Sequence, residues 1–256
     1  MKLNRNYVEK PWGRSRLPPM FDAPVGQKIG EVWFTATREL PLLAKYIFTG
    51  ERLSIQVHPN DRQARQHGFA QGKSECWYIL DSDPGATLGL GLKHAVSSDE
   101  LRDAALNGSI EELVNWRTVA PGDFFFVPAG TIHAIGAGIS LLEFQQNVDV
   151  TYRLYDYGRP RELHLDHGIA VANPGIYPDE LARHVSDNDD QTLVAGPHFA
   201  LLHSHEDRFQ DRQRWVMPLA GLVEAGSDTG GPGDCLLVPA GEAVTGPARM
   251  LIGVAV

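Results

Sequence analysis

Cysteine is nearly missing from this chain: Cys76 and Cys235 are the only two among 256 residues. Neither lies in a Cys-x-x-Cys pair or a zinc-knuckle spacing. A multi-disulfide framework and a thiolate-built zinc site are thereby excluded, while a single disulfide between the two stays open. Positive charge is scarce as well. Lys and Arg number 23 against 32 Asp and Glu, a net charge of −9, which excludes a broad basic face of the kind that neutralises nucleic-acid phosphates. Any anionic ligand must be met by a few local cations. Long apolar runs are absent too. No window reaches ~18 uninterrupted apolar residues, and the start, Met1-Lys-Leu-Asn-Arg-Asn-Tyr7, has no apolar signal core. These absences predict a cytoplasmic protein with no nucleic-acid and no membrane partner.

What is present is enough apolar material for a core, 43% of residues, arranged in short runs. Glu31-Val-Trp-Phe-Thr, Leu43-Ala-Lys-Tyr-Ile-Phe, Leu53-Ser-Ile-Gln-Val-His and Glu75-Cys-Trp-Tyr-Ile-Leu are separated by Gly, Pro, Asn or Asp. Such spacing predicts a β-sandwich or barrel. The stretch Gly122-Asp-Phe-Phe-Phe-Val-Pro128-Ala-Gly130-Thr-Ile-His133 recurs in large part as Gly233-Asp-Cys-Leu-Leu-Val-Pro239-Ala-Gly241-Glu-Ala-Val244. A strand-then-turn unit written twice predicts a duplicated small β-barrel, and the loss of the imidazole from the second copy assigns chemistry to the first. Between about 97 and 116 the period changes. Ser98-Asp-Glu-Leu101 opens a helical pattern with early acids, and Ile110-Glu-Glu-Leu113 repeats it. Tyr152-Arg-Leu-Tyr-Asp-Tyr-Gly-Arg-Pro-Arg161 reads as loop, and Ser186-Asp-Asn-Asp-Asp-Gln191 as linker. The expected organisation is an N-terminal barrel over 1–175 with the helical insertion, a linker over 176–191, and a shorter second barrel over 192–256.

Alternate residues of a strand share a face, so Ser54, Gln56 and His58 point together while Ile55 and Val57 serve the packing. Glu75 opens another strand, and His133 follows a Pro-Ala-Gly turn. Two imidazoles, a carboxylate and an amide oxygen compose a shell for one divalent ion, expected to be zinc, with room for a substrate oxygen. Each residue alone has a structural explanation; the joint arrangement and its erasure in the second copy favour the metal. His203-Ser-His205 also puts two imidazoles on one strand face, but it has no turn histidine and no matching carboxylate, and it reads as surface.

These residues resemble the short bacterial type I phosphomannose isomerases of the cupin superfamily. The resemblance rests on Lys10-Pro-Trp-Gly13, Gly30-Glu31-x-Trp33, Ser54-Ile-Gln-Val-His-Pro-Asn-Asp61, Gly72-Lys-Ser-Glu-Cys-Trp-Tyr78, Pro128-Ala-Gly-Thr-Ile-His-Ala134, Gln145-Gln-Asn-x-Asp149 and Thr151-Tyr-Arg-Leu-Tyr-Asp156. It covers residues 1 to about 170. It implies a mainly β fold of duplicated cupin (jelly-roll) barrels, with zinc held by Gln56, His58, Glu75 and His133. It also implies interconversion of mannose 6-phosphate and fructose 6-phosphate through an enediol. Ser54, Lys73, Arg153 and, on the pocket wall, Trp12 become candidates for substrate contact, and Lys73, Glu143 and Arg153 for catalysis. The last sixty or so residues match no family pattern well, which leaves monomer and homodimer both open. Two other readings compete: a non-catalytic sugar-phosphate-binding cupin acting as a sensor, and an iron-dependent cupin oxygenase, since two histidines and a carboxylate also suit ferrous iron. Gln56 as a fourth ligand leaves the oxygenase fewer open positions.

Overall fold

The short apolar runs between Gly- and Pro-marked turns are strands in the computed structural model, which describes residues 1–256. Those before residue 185 are β1 (Asn4–Arg14), β2 (Ile29–Thr35), β3 (Leu42–Phe48), β4 (Ile55–Val57), β5 (Glu75–Ser82), β6 (Thr87–Leu92), β7 (Val114–Thr118), β8 (Asp123–Val127), β9 (His133–Ile135), β10 (Ile139–Gln146), β11 (Tyr152–Tyr155) and β12 (Ala182–His184). After it come β13 (Gln191–Ala195), β14 (Phe199–Ser204), β15 (Arg214–Ala220), β16 (Val223–Ala225), β17 (Asp228–Gly230), β18 (Leu236–Val238), β19 (Val244–Thr245) and β20 (Arg249–Ala255). Helices are few: α1 (Asp61–Gln66), α2 (Ser98–Asn107), α3 (Ile110–Leu113) and α4 (Leu165–Val171). The protein is mainly β, and no helix is long and apolar enough to cross a membrane.

The ladders between these strands are antiparallel and build four sheets: seven strands in the order β1-β2-β3-β10-β5-β8-β12, five as β11-β4-β9-β6-β7, five as β13-β14-β20-β15-β18, and three as β17-β16-β19. The seven-stranded sheet is buried on both sides, which explains why β3 and β10 carry no exposed residue. Its alternation sorts the side chains. Ala44, Tyr46, Cys76, Tyr78, Leu142 and Phe144 face the sheet of β13–β15, β18 and β20, in one core with Phe199, Trp215 and Leu251. Ile47, Trp77, Ile79 and Leu141 face the β4–β9–β6 sheet. The intervening positions on that second face are polar: Lys45, Glu75 and Glu143. The outer face of the β4–β9–β6 sheet is covered by α2 and α4 through Leu101, Ala104 and Val171.

Two local readings of the sequence are corrected. Lys10-Pro-Trp-Gly13 is part of edge strand β1, whose register with β2 breaks between Glu9 and Arg14; proline is tolerated there because an edge strand need not donate every N–H. Tyr152–Tyr155 is a strand with Tyr152 and Leu154 buried rather than loop. α2 begins at Ser98, as expected, and is capped by Ser97 in a capping box with Glu100. His203 is fully buried, stacked on Tyr78, and only His205 is at the surface. The cysteines are both buried and unpaired.

The first residues reach across to the C-terminal sheets. Met1 donates its ammonium to the Leu237 carbonyl at 2.8 Å, and Leu3 N–H donates to Cys235. The stretch 176–191 holds a 3₁₀ turn at Asp179–Leu181 and β12, which pairs with β8.

The seam between the large sheet and the C-terminal one is tight at Gly253. A Cβ there would stand 2.3 Å from the Phe144 ring, which is itself wedged edge-on against Phe199 and Trp215. Gly253→Ala is therefore expected to cost about 1–3 kcal/mol by overpacking, read as a lower denaturation midpoint. Adding Phe144→Leu should recover part of the loss.

Candidate metal centre

β4 delivers its polar face into the space between the two N-terminal sheets: Gln56 points there, while Ile55 and Val57 are fully buried on the opposite face. His58 follows the strand. Its carbonyl accepts the N–H of Gly130 at 2.8 Å, in the turn that Gly130 closes with φ +89°. That bond ties the loop after β4 to the turn that delivers His133. β9 then lies between β4 and β6, with His133 opposite Gln56 and Leu90. Glu75 enters from the facing sheet as the first residue of β5.

Three of these side chains converge with almost no exposure. One ligating atom each from His58, Glu75 and His133 lies within 4.8 Å of the others. His58 Nε2 is 3.4 Å from Glu75 Oε2, and His133 Nε2 is 3.4 Å from Glu75 Oε1. His133 Nδ1 donates to the Thr131 carbonyl at 2.9 Å, which leaves the Nε2 lone pair directed at the centre. The Gln56 amide stands 3.2 Å from that same Nε2, and Ser54 donates to its oxygen at 3.1 Å. A half-turn of the amide exchanges its oxygen and nitrogen.

Burial drives the imidazoles neutral. His58 is pushed down to about 3 by desolvation and by Lys73, and His133 is lowered by desolvation. For Glu75, burial favours the acid, but Lys73 and His58 outweigh it and hold the carboxyl well below its usual range. Two neutral imidazoles, an ionised carboxylate and an amide are the donor set a divalent cation takes. The residues fit a metal.

Lysines and carboxylates alternate away from this centre across the large sheet. Lys73 Nζ is 2.9 Å from Glu75, 3.1 Å from His58 Nε2 and 3.8 Å from Glu143. Glu143 pairs with Lys45 at 3.0 Å, and Lys45 with Glu31 at 3.8 Å. Glu31 in turn accepts the Trp33 indole N–H. Desolvation and the Glu75 charge raise Glu143 to about 7 in spite of the two lysines. Lys45 goes the other way: burial favours its neutral form, but Glu143 and Glu31 overcome it and raise the ammonium. A carboxyl that titrates near neutrality, beside a fixed ammonium and a metal-type donor set, can pass a proton to and from a bound molecule. Glu31 enters sequence reading only within the motif Gly30-Glu31-x-Trp33, and Lys45 is given no role there. The one available signal is a lysine in the middle of the otherwise apolar run Leu43–Phe48.

These groups line a cavity of about 560 Å³. Trp12, Ser54, Lys73, Glu143 and Arg153 all border it. Arg153 lies directly across the β11–β4 ladder from Gln56. Lys73 is enclosed in ion pairs at the metal end, whereas Arg153 makes no ion pair within 4.0 Å and is only half-buried.

The second copy shows what replaces the site. Glu75 pairs with Val127 across the β5–β8 ladder, and Arg214 pairs with Val238 across β15–β18. Val127 and Val238 occupy the same place in the repeated stretch, so Arg214 stands where Glu75 does. It is fully buried, bound to Asp207 by Nε at 2.6 Å, and donates to the Pro239 and Glu242 carbonyls. Along the partner strand, Ile252 takes the register place of Glu143.

No protein-family model matches the chain. Over 171 residues it is 43% identical to the mannose-6-phosphate isomerase ManA of Bacillus subtilis (strain 168), covering 63% of this chain and 54% of that protein. The chain spans about half the length of the curated relatives it matches. Its structure superposes on a crystal structure of the mannose 6-phosphate isomerase from Bacillus subtilis with a TM-score of 0.84 and 27% identity, over 99% of this chain and 98% of the other. It also superposes on a zinc-bound mannose 6-phosphate isomerase, with a TM-score of 0.73 over 99% and 98% of the two chains. At 15% identity that second likeness concerns the fold.

Proposed function

We propose that this chain, which has the fold of the mannose-6-phosphate isomerases and shares sequence with their bacterial type, is itself a metal-dependent mannose-6-phosphate isomerase. The observation that carries the reading is the convergence of His58, Glu75, His133 and Gln56 on one point, with Lys73 and a near-neutral Glu143 beside it. Residues 1–175 would form the cupin barrel that bears the site and 192–256 a degenerate copy, joined through 176–191. The matching registers of Glu75 and Arg214 support that division.

The reaction moves a proton between C1 and C2 of the sugar, and negative charge develops on the two oxygens. Gln56, His58, Glu75 and His133 would hold zinc, which when bound supplies Lewis-acid polarisation of those oxygens. Lys73, locked against Glu75 and facing Glu143, offers a fixed positive charge where the oxyanion forms. Glu143 is the group that takes the proton from one carbon and returns it to the other. Lys45, 3.0 Å away, limits how far burial can raise Glu143. Trp12 and Ser54 shape the wall, and Arg153 meets the anionic end of the substrate.

An assay of metal-analysed protein against mannose 6-phosphate, coupled to detection of fructose 6-phosphate, tests this. Turnover should vanish on chelation and return with zinc. Tight binding of the sugar phosphate without interconversion would instead identify a sensor, and iron-dependent oxygen uptake an oxygenase.

A further inference from the structure

We propose that Arg161, aimed by the buried carboxylate of Asp156, is a second arginine of the substrate's phosphate subsite, beside Arg153. This rests on the isomerase reading above. Asp156 has a side chain only 1% exposed, yet it sits in the turn after β11, outside the metal centre. Its partners are two arginines. Arg161 approaches in a fork, Nε to Oδ2 at 2.6 Å and one terminal nitrogen to Oδ1 at 2.7 Å. Arg159 reaches Oδ1 at 3.2 Å.

The two arginines then diverge. Arg159 turns to Glu51 at 3.2 Å and to the Arg52 carbonyl at 2.9 Å, closing the loop. Arg161 borders the cavity that contains Gln56, Lys73 and Glu75. A guanidinium held by a bidentate carboxylate cannot swing, so its remaining N–H donors keep one direction.

The returning chain is fixed in the same way. Tyr157 at φ +54° and Gly158 at φ +76° make the turn. His164 N–H then donates to the Arg153 carbonyl at 2.8 Å, while its Nδ1 accepts the Arg153 N–H at 3.2 Å. Arg153 and Arg161 are thus delivered to one wall. Arg153 has no carboxylate within ion-pair distance, and burial and the nearby Arg161 charge lower its pKa. Asp156 neutralises Arg161, whereas Arg153 beside it has no such partner, so the wall keeps a positive charge for an anion to meet. A phosphate dianion, with several acceptor oxygens, suits two forks at once. Sugar oxygens at the metal end and phosphate at Arg153 and Arg161 would orient the substrate by its two ends.

Steady-state kinetics with mannose 6-phosphate on Arg161→Ala, Asp156→Asn and the double variant test this, with calorimetry of inorganic phosphate as a second readout. Arg161→Ala should raise KM and the phosphate dissociation constant about tenfold or more, the loss of charge-assisted hydrogen bonds, with kcat and metal content near wild type. Arg161→Lys should recover part of the loss. Asp156→Asn should raise KM in the same sense, and the double variant should be no worse than Arg161→Ala alone, because Asp156 acts through Arg161. Unchanged KM and phosphate affinity in a folded Arg161→Ala protein would overturn the assignment. So would a fall in kcat at constant KM. If the wild-type protein turns nothing over, the isomerase reading fails, and the phosphate titration of Arg161→Ala still decides the subsite.

Discussion

Glu75→Gln is expected to strip the protein of metal and to lower turnover by more than the roughly 10–100-fold that follows loss of groups merely supporting a ligand. His133→Ala should do the same. The reasoning is electrostatic. Glu75 is the single anion among the converging donors, and Lys73 at 2.9 Å already competes for its charge. A neutral amide in its place leaves a dication facing an ammonium with nothing between them. In His133→Ala the Nε2 donor disappears, and Gln56 loses the atom that stands 3.2 Å from its amide. Elemental analysis of dialysed protein, alongside the isomerase assay, measures both effects. His203→Ala provides the contrast: it removes a buried ring stacked on Tyr78, so it should cost stability and leave metal content intact. Wild-type metal stoichiometry and turnover in either Glu75→Gln or His133→Ala would end the proposed centre.

How much of this was legible beforehand depended on whether a residue's role follows from local periodicity. The strand face of Gln56 and the turn at Pro128–Gly130 are local patterns, and period-two alternation is enough to aim a side chain. The roles of Lys45 and Glu31 were not readable, because a charged residue in a strand normally marks a wet face. Only the pairing of β2, β3 and β10 reveals that their face is an enclosed cavity. Asp156 was quoted in a motif and given no role, since the buried fork to Arg161 depends on a turn built by Tyr157 and Gly158. β1 escaped because its register with β2 is irregular and it carries a proline. That the repeated stretch carries His133 in one copy and Val244 in the other is visible in the sequence. The substitution of Arg214 for Glu75 was not, because it emerges only when the two ladders are set in register.

That substitution carries the second large effect. Arg214→Leu is expected to destabilise the protein by about 3–5 kcal/mol, the cost of leaving one partner of a buried ion pair uncompensated. The Asp207 side chain is 1% exposed and would keep its charge in an apolar setting, while the Glu242 carbonyl would lose its donor and the Pro239 carbonyl would keep only the Glu242 N–H at 3.4 Å. Removing both charges in Arg214→Leu/Asp207→Leu should be less harmful than Arg214→Leu alone, since the stranded carboxylate disappears; the Glu242 carbonyl still lacks a partner, so recovery is partial. Denaturant unfolding of the wild type, Arg214→Leu, Asp207→Leu and the double variant gives the coupling energy directly. A double variant as unstable as the sum of its singles would show that the pair is not a unit. Turnover per folded molecule should be unchanged throughout, because the metal centre lies beyond the intervening core of Phe144, Phe199 and Trp215. Arg214→Glu restores the carboxylate of the first copy but not its imidazoles, with Val244 at the place of His133. It should therefore bind no second metal ion, and it should unfold more readily than Arg214→Leu, because a second buried anion then faces Asp207.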